Sequence, residues 1–289
     1  MNDVFFSIVI PTYNRAATIK RCLDSVVHQT YCNWEAIVVD NYSEDNTEEI
    51  VKSFNDDRIR YYKNHNYGII AVSRNYAIDR ANGDWICFLD SDDSWTNNKL
   101  EELLPFTDNY DLIYHDYQTN VSSRFLFFKR NKIHFYTIKE SDVSYVLKRS
   151  DPISTSCSAV SKGFLSETRF DESHTLFAIE DYDFYLQLIL RRPRIKHLRK
   201  CLALYDETTG ISHDKIKQLN RNRAIIAKYK QYLTKDDLSD VIRYYLYLRG
   251  LRHLHIDKKE ARKNFRIAVS TSAWFIKKRA IIGYMLTFL

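Results

Sequence analysis

Short apolar runs alternate with helically spaced patterns through the first 95 residues, and few folds accept that alternation. Residues 5–10 form a β-rich apolar run stopped by Pro11, which reads as a strand. Residues 16–27 place Ile19, Leu23, Val26 and Val27 at helical spacing. A second strand at 34–39 ends at Asp40, a helix follows at 47–54, and a third short strand occupies 58–62. Residues 72–81 are helical, N-G-D at 82–84 is a turn, and 85–89 is a fourth apolar strand. Strand and helix in strict alternation imply a parallel, doubly wound α/β sheet. Ligands of such sheets bind outside the C-terminal strand ends. Pro11, Tyr13, Asn14, Asp40 and the acids at 90–93 all fall at such ends.

The stretch W-I-C-F-L-D-S-D-D-S-W (85–95) passes abruptly from an apolar run to Asp90, Asp92 and Asp93. Hard cations such as Mg²⁺ and Mn²⁺ prefer oxygen ligands. A metal held by one or two carboxylates leaves positions for phosphate oxygens. The same acids alone would also suit a solvated turn or a helix cap, so the weight rests on several strand ends sharing one crevice.

Composition narrows the class. The chain has 289 residues, 45% hydrophobic and 28% charged, with 6 Gly and 4 Pro, which fits a folded protein without long flexible linkers. Its cysteines, Cys22, Cys32, Cys87, Cys157 and Cys201, form no C-x-x-C pair and indicate neither a disulfide framework nor a zinc site. The N-terminus reads as a first strand and not a signal peptide, and no run is long enough to span a membrane. Charge is divided: residues 1–189 carry a net of −10 and residues 190–289 a net of +16. A basic third of that kind suits nucleic acid, anionic lipid or a pyrophosphate.

Downstream, 111–117 reads as a strand, 125–135 as a hairpin, and the rest of 111–170 carries no clear pattern. A helix starts at Glu180, with Tyr182, Tyr185 and Ile189 on one face and Glu180, Asp181 and Asp183 in its first turn, where acids suit the helix dipole. After Gly210 the patterns 216–233, 238–254 and 258–289 are helical.

Four motifs occur in order: S-I-V-I-P-T-Y-N-R (7–15), V-V-D-N-Y-S-E-D-N-T (38–47), N-Y-G-I-I-A-V-S-R-N (66–75) and G-D-W-I-C-F-L-D-S-D-D-S-W (83–95). At these spacings the chain resembles the GT-A-fold family 2 glycosyltransferases, inverting transferases of nucleotide sugars, and among them the bacterial O-antigen and capsule repeat-unit enzymes. The resemblance implies a Rossmann-like, mostly parallel mixed sheet with helices on both faces, plus a helical C-terminal region. It implies that Pro11, Tyr13, Asn14 and Arg74 line a nucleotide pocket, that Asp40 hydrogen-bonds the base and Asp90 the ribose, and that Ser91, between Asp90 and Asp92, also binds the nucleotide sugar. Asp92 would coordinate Mn²⁺ or Mg²⁺ on the diphosphate, with Asp93 either an outer acid or a helix cap. Glu180-Asp181 resembles the family's E-D pair, with Asp181 as catalytic base and Glu180 orienting the acceptor. The segment Y-D-E-T-T-G-I-S-H-D (205–214) resembles a late loop over the diphosphate, giving His213 as a candidate phosphate or metal ligand. One departure is N-Y-S after Asp40, where the family often has a second acid and a glycine.

These features imply a catalytic region over 1–215 and a basic helical region over 216–289. The expected reaction moves a hexose, first of all from a UDP-linked donor, to a sugar hydroxyl on a polyprenyl-pyrophosphate-linked acceptor. K-K-R at 277–279, between W-F-I and A-I-I-G-Y-M-L-T-F-L, suits a segment lying on an anionic membrane, with an oligomer interface as its competitor. The enzyme is then expected in the cytoplasm, peripheral at the inner face of the plasma membrane. The alternatives are a protein or other non-lipid glycan acceptor, or a nucleic-acid-binding module, for which no zinc-finger or RNP-type signature is present.

Overall fold

A computed structural model describes residues 3–125, 128–138, 142–149, 153–206, 215–271 and 273–288. Contacts divide the chain into two compact units. The first comprises Met1–Ser141, Pro152–His174 and Glu180–Gly210; the second comprises Asp142–Asp151, Thr175–Ile179 and Ile211–Leu289. The longest segment of the second unit begins at Ile211, and two short segments from earlier in the chain belong to it as well.

Among the described residues, the first unit is built on one nine-stranded sheet. Strands β1 (Phe6–Thr12), β2 (Trp34–Asp40), β3 (Ile59–Lys63) and β4 (Trp85–Phe88) alternate with helices α1 (Ile19–Val27), α2 (Thr47–Ser53) and α3 (Ile70–Ile78). After β5 (Ser94–Trp95) and α4 (Lys99–Leu103) come β6 (Leu112–Phe125), β7 (Phe128–Ile133), β8 (Ser158–Ser161) and β9 (Ile195–Tyr205). Spatial order is β3-β2-β1-β4-β8-β6-β9-β5, with β7 paired to β6. The first four strands are mutually parallel, and β8 runs antiparallel to both β4 and β6. The chain moves outward from β1 through β2 to β3 and then returns to β1's other side with β4, so the order reverses at β1. That reversal opens a crevice beyond the C-terminal ends of β1, β2 and β4.

Every residue of β1, β2 and β4 is buried, as expected of parallel strands covered on both faces. Phe6, Ile8 and Ile10 join Ile19, Leu23 and Val26 of α1 in the core. Each such apolar side chain contributes roughly 1.5–3 kcal/mol by leaving water. The N-G-D turn needs its glycine: a Cβ on Gly83 would lie 2.6 Å from the Ser7 backbone nitrogen.

Three sequence expectations are revised. Pro11 does not stop β1, which continues to Thr12 with Pro11 opposite Val39. Val9 accepts from Leu89 and Thr12 from Asn41, so Pro11 faces the β4 side, where the ladder has already ended and no N–H is required. Strands β8 and β9 lie in stretches whose sequence gives no strand pattern. The pattern over 258–289 is two helices, not one.

In the second unit the helices are α5 (Val143–Leu147), α8 (Lys215–Tyr229), α9 (Lys235–His253), α10 (Lys258–Ala268) and α11 (Trp274–Leu286); α6 (Lys162–Leu165) and α7 (Glu180–Leu190) belong to the first. Between α10 and α11, Thr271 donates its hydroxyl to Asp240 of α9 at 2.6 Å, which anchors the break. The core of α9–α11 gathers on Phe265. A Cβ on Gly250 would meet its ring at 2.8 Å and one on Gly283 at 2.5 Å. Among the described residues no helix is long and apolar enough to cross a membrane.

Candidate active site

The loops after β1, β2 and β3 are stitched together by side chain to backbone hydrogen bonds. Asn14 N donates to Ser43 Oγ at 2.8 Å, and Asn14 Oδ1 accepts from Glu44 N at 2.8 Å. Asn66 N donates to Asn41 Oδ1 at 2.9 Å. Asn14, Tyr42 and Tyr67 take left-handed φ values of 49°, 57° and 53°, and such outliers gather at functional sites. Tyr42, in the N-Y-S stretch after Asp40, has a φ that glycine adopts without strain. Its ring stacks on His65 at 3.8 Å. Tyr13 is exposed at the rim, while Pro11 is buried behind it.

Asp40 ends β2 fully buried. Its Oδ1 accepts from Ser43 N at 2.9 Å and Ser43 Oγ at 2.6 Å, and its Oδ2 accepts from the Tyr61 hydroxyl. Burial and the Asp40 carboxylate push the Tyr61 phenol up. Both oxygens of the carboxylate expected to meet a base are thus engaged, one by its own loop and one by β3.

The acids after β4 separate into distinct environments. Asp90 and Asp92 are partly exposed. Asp90 Oδ1 accepts from Arg74 at 2.8 Å, and Asp92 Oδ2 lies 3.4 Å from Arg15. Ser91 is buried between them. Asp93 points inward, accepting from Ser156 Oγ at 2.5 Å and Asp206 N at 3.1 Å. Burial first, then the charges of Asp90 and Asp92, raise its carboxyl well above the usual carboxylate range.

Ser156 and Asp206 organise this turn, and neither was singled out from sequence. Ser156 Oγ also accepts from Asp90 N at 3.0 Å, and its carbonyl accepts from Trp95 Nε1 at 2.9 Å and Lys99 Nζ at 3.0 Å. Asp206 binds Arg21 at 2.8 Å, and Arg21 reaches the Asp92 carbonyl at 2.6 Å. Asp206 belongs to the late loop flagged above, which was the available signal. Ser156 lies in a stretch with no periodic pattern. His213 lies outside the described residues.

Glu180 and Asp181 open α7. Glu180 Oε1 accepts from Arg74 at 2.7 Å. Burial forbids Arg74 an easy charge, but the Asp90 and Glu180 carboxylates outweigh it and hold the guanidinium protonated. Asp181 accepts from Tyr182 N at 2.8 Å and Thr155 Oγ1 at 3.4 Å. Burial, and then the neighbouring Glu180 charge, push its carboxyl up to about 6, against the pull of Arg74. Asp183 is turned into the core and bound by Gln187 at 2.7 Å. Among the described residues, Thr12 Oγ1, Arg74 Nε and Glu180 Oε2 are buried polar atoms without a hydrogen-bond partner. They are three of seven such atoms among the described residues, the others being on Trp34, His115, Tyr245 and His253.

The family model described as "Glycosyl transferase family 2" matches residues 7–168, more than half of the chain. This chain belongs to glycosyl transferase family 2. Among its relatives, the UDP-Glc:alpha-D-GlcNAc-diphosphoundecaprenol beta-1,3-glucosyltransferase WfgD of Escherichia coli is 46% identical over 101 residues, 35% of this chain and 40% of that relative. The amylovoran biosynthesis glycosyltransferase AmsB of Erwinia amylovora is 29% identical over 261 residues, 86% of this chain and 85% of that relative. The crystal structure of S. aureus TarS 1–349 in complex with UDP-GlcNAc superposes with a TM-score of 0.67 at 19% identity, over 97% of this chain and 89% of that one. The shared fold is GT-A, the mixed sheet and helical C-terminal region expected above.

The donor set after β4 fits a hard divalent cation. Asp90 and Asp92 present carboxylate oxygens two residues apart on one partly exposed turn, and Asp90 keeps Oδ2 outside its bond to Arg74. Among the described residues no group of three or more His, Cys, Asp or Glu side chains is arranged as a metal cage. Mg²⁺ bound chiefly through substrate phosphates asks for no such cage.

Proposed function

We propose that this family 2 enzyme is an inverting hexosyltransferase with a UDP-linked donor. The acceptor in this reading is a sugar hydroxyl on a polyprenyl diphosphate, in O-antigen or capsule synthesis. The observation that carries it is the joining of Asp90, on the donor side, to Glu180-Asp181 through one buried arginine. Pro11, Tyr13 and Asn14 border the nucleotide pocket, and Asp90, Ser91 and Asp92 meet the ribose and diphosphate. Asp92 is the protein ligand for Mn²⁺ or Mg²⁺, which when bound supplies positive charge to the leaving nucleoside diphosphate. Asp181 takes the acceptor proton as its oxygen attacks the anomeric carbon from the face opposite the diphosphate. A raised carboxyl suits that task, because a base poised near neutrality accepts a proton more readily than an ordinary aspartate. One carboxylate suffices, since the diphosphate needs no protonation to depart.

The acceptor class is supported by the WfgD name and by α11 itself. Trp274, Ile282 and Met285 are exposed along one side of this helix, with Lys277, Lys278 and Arg279 also exposed, while Ile276, Ala280 and Gly283 are buried. Apolar anchors flanked by cations suit the interface of an anionic membrane.

The test is a donor screen: purified protein, Mn²⁺, a panel of nucleotide hexoses and a synthetic lipid-diphosphate GlcNAc, read by product mass. A metal-dependent hexose adduct on the lipid acceptor is the expected product. Transfer only to free or protein-bound glycans would remove the lipid-linked acceptor from this reading.

A further inference from the structure

Arg74 is the side chain whose placement departs furthest from a nucleotide contact. It is 3% exposed, and its terminal nitrogens are both committed to protein carboxylates, Nη1 to Glu180 at 2.7 Å and Nη2 to Asp90 at 2.8 Å. An arginine that grips phosphate presents that bidentate edge to the ligand instead. The guanidinium also has an aromatic neighbour. It lies over the Phe170 ring at 5.3 Å, and Phe170 is stacked on Phe184 of α7 at 3.9 Å with the rings 7° from parallel. The next residue, Asn75, holds Phe170 by its backbone on both sides.

We propose that Arg74 is a positioning residue that sets Glu180 against Asp90, fixing the acceptor-side acid relative to the donor-side acid without touching the nucleotide. This rests on the transferase reading above. The bond to Glu180 Oε1 leaves Oε2 buried and without a partner, the oxygen that remains to accept a hydroxyl from the acceptor. The bond to Asp90 Oδ1 likewise leaves Oδ2 for the donor side. A planar fork can hold both carboxylates at a set angle; an ammonium is a point charge on a flexible stem and cannot.

The experiment compares wild type, Arg74→Lys, Glu180→Gln and the double variant, with UDP affinity measured by calorimetry in Mn²⁺ and turnover at saturating donor. Arg74→Lys is expected to leave UDP affinity within about threefold and to lower kcat about 100-fold, the scale of a small misplacement of reacting groups. If Arg74 acts through Glu180, the same change costs only a few-fold when Glu180→Gln is already present, because coupled residues are not additive. A tenfold loss of UDP affinity, or losses that simply multiply in the double variant, would overturn the proposal. Should Arg74→Lys fail to fold, Phe170→Leu keeps the guanidinium, removes its platform and is read the same way. A wild-type protein that transfers nothing sinks the transferase reading itself, and the UDP arm still tests the brace because it needs no turnover.

Discussion

Asn75 holds Phe170 by its main chain in both directions, donating from Nδ2 to the carbonyl oxygen at 2.9 Å and accepting the amide proton at Oδ1 at 2.9 Å. Two residues 95 apart in sequence are joined as neighbouring strands would be. The Asn75→Ala variant would leave both buried backbone groups unpaired, costing about 1–3 kcal/mol for each. A lowered thermal midpoint, together with reduced kcat, is the expected result; a midpoint within 1 °C of wild type would show that solvent takes over both bonds.

The acid limb of turnover should report Asp181. With its carboxyl near 6, the basic form is scarce below that pH and fills as pH rises through it. kcat/KM is therefore expected to climb across pH 5–7, where an ordinary aspartate near ~3.9 would already be fully ionised. The Asp181→Asn change should cost about 10²–10⁴ in kcat and leave UDP affinity within a few-fold. A profile flat down to pH 4.5 would move the base to another residue.

Asp93 gives a stability that depends on pH in the opposite sense from most salt-bridged acids. Its folded-state value is raised by burial, so the native protein binds this proton more tightly than the unfolded chain. The contribution is complete below the unfolded value of ~3.9 and fades as pH rises through the raised one. Urea midpoints for wild type should fall from pH 5 to pH 8 more steeply than those for Asp93→Asn, which has no such proton to lose. Parallel slopes would show that Asp93 is ionised throughout.

Gly283 admits no side chain where it faces Phe265. A Cβ there would lie 2.5 Å from the ring, so Gly283→Ala forces either the ring or the helix to move. Overpacking of this kind costs about 1–3 kcal/mol. Denaturant midpoints should show that loss, and Gly283→Ala/Phe265→Leu should recover part of it. Full additivity of the two changes would mean that the strain is relieved elsewhere.

Vesicle flotation tests α11. Binding to phosphatidylglycerol vesicles should weaken about tenfold on Trp274→Ser/Met285→Ser. It should become nearly insensitive to salt on Lys277→Glu/Lys278→Glu, since each cation near an anionic surface contributes roughly 1 kcal/mol. If neither pair changes the floated fraction, this face does not meet lipid.

The parallel half of the sheet was legible because β1, β2 and β4 are buried on both faces and α1 carries a clean apolar stripe, so local pattern and tertiary role agree. Strand β8 is four residues, S-A-V-S, with no alternation to detect; its neighbours β4 and β6 specify it. Strand β9 carries cations at Lys196, Arg199 and Lys200 that resemble a solvated segment until the ladder to β6 is seen. Within the site, the acids were visible as acids, but their division was not. Sequence shows Asp90, Asp92 and Asp93 as one run, whereas depth separates them: Ser156 draws Asp93 inward and Arg74 claims one edge of Asp90. Such partners lie 16 to 66 residues away from Asp90 and carry no spacing signal.

Phe265 also decides what α11 presents to its surroundings. With one glycine of α9 and one of α11 closed onto the same ring, α11 cannot turn about its own axis without driving a backbone into that ring. The orientation of Trp274 and Met285 is therefore inherited from the interior. A substitution at the core can rotate the outer face away, and one on the outer face leaves the core as it is, so this surface can change its chemistry in evolution while its direction stays fixed.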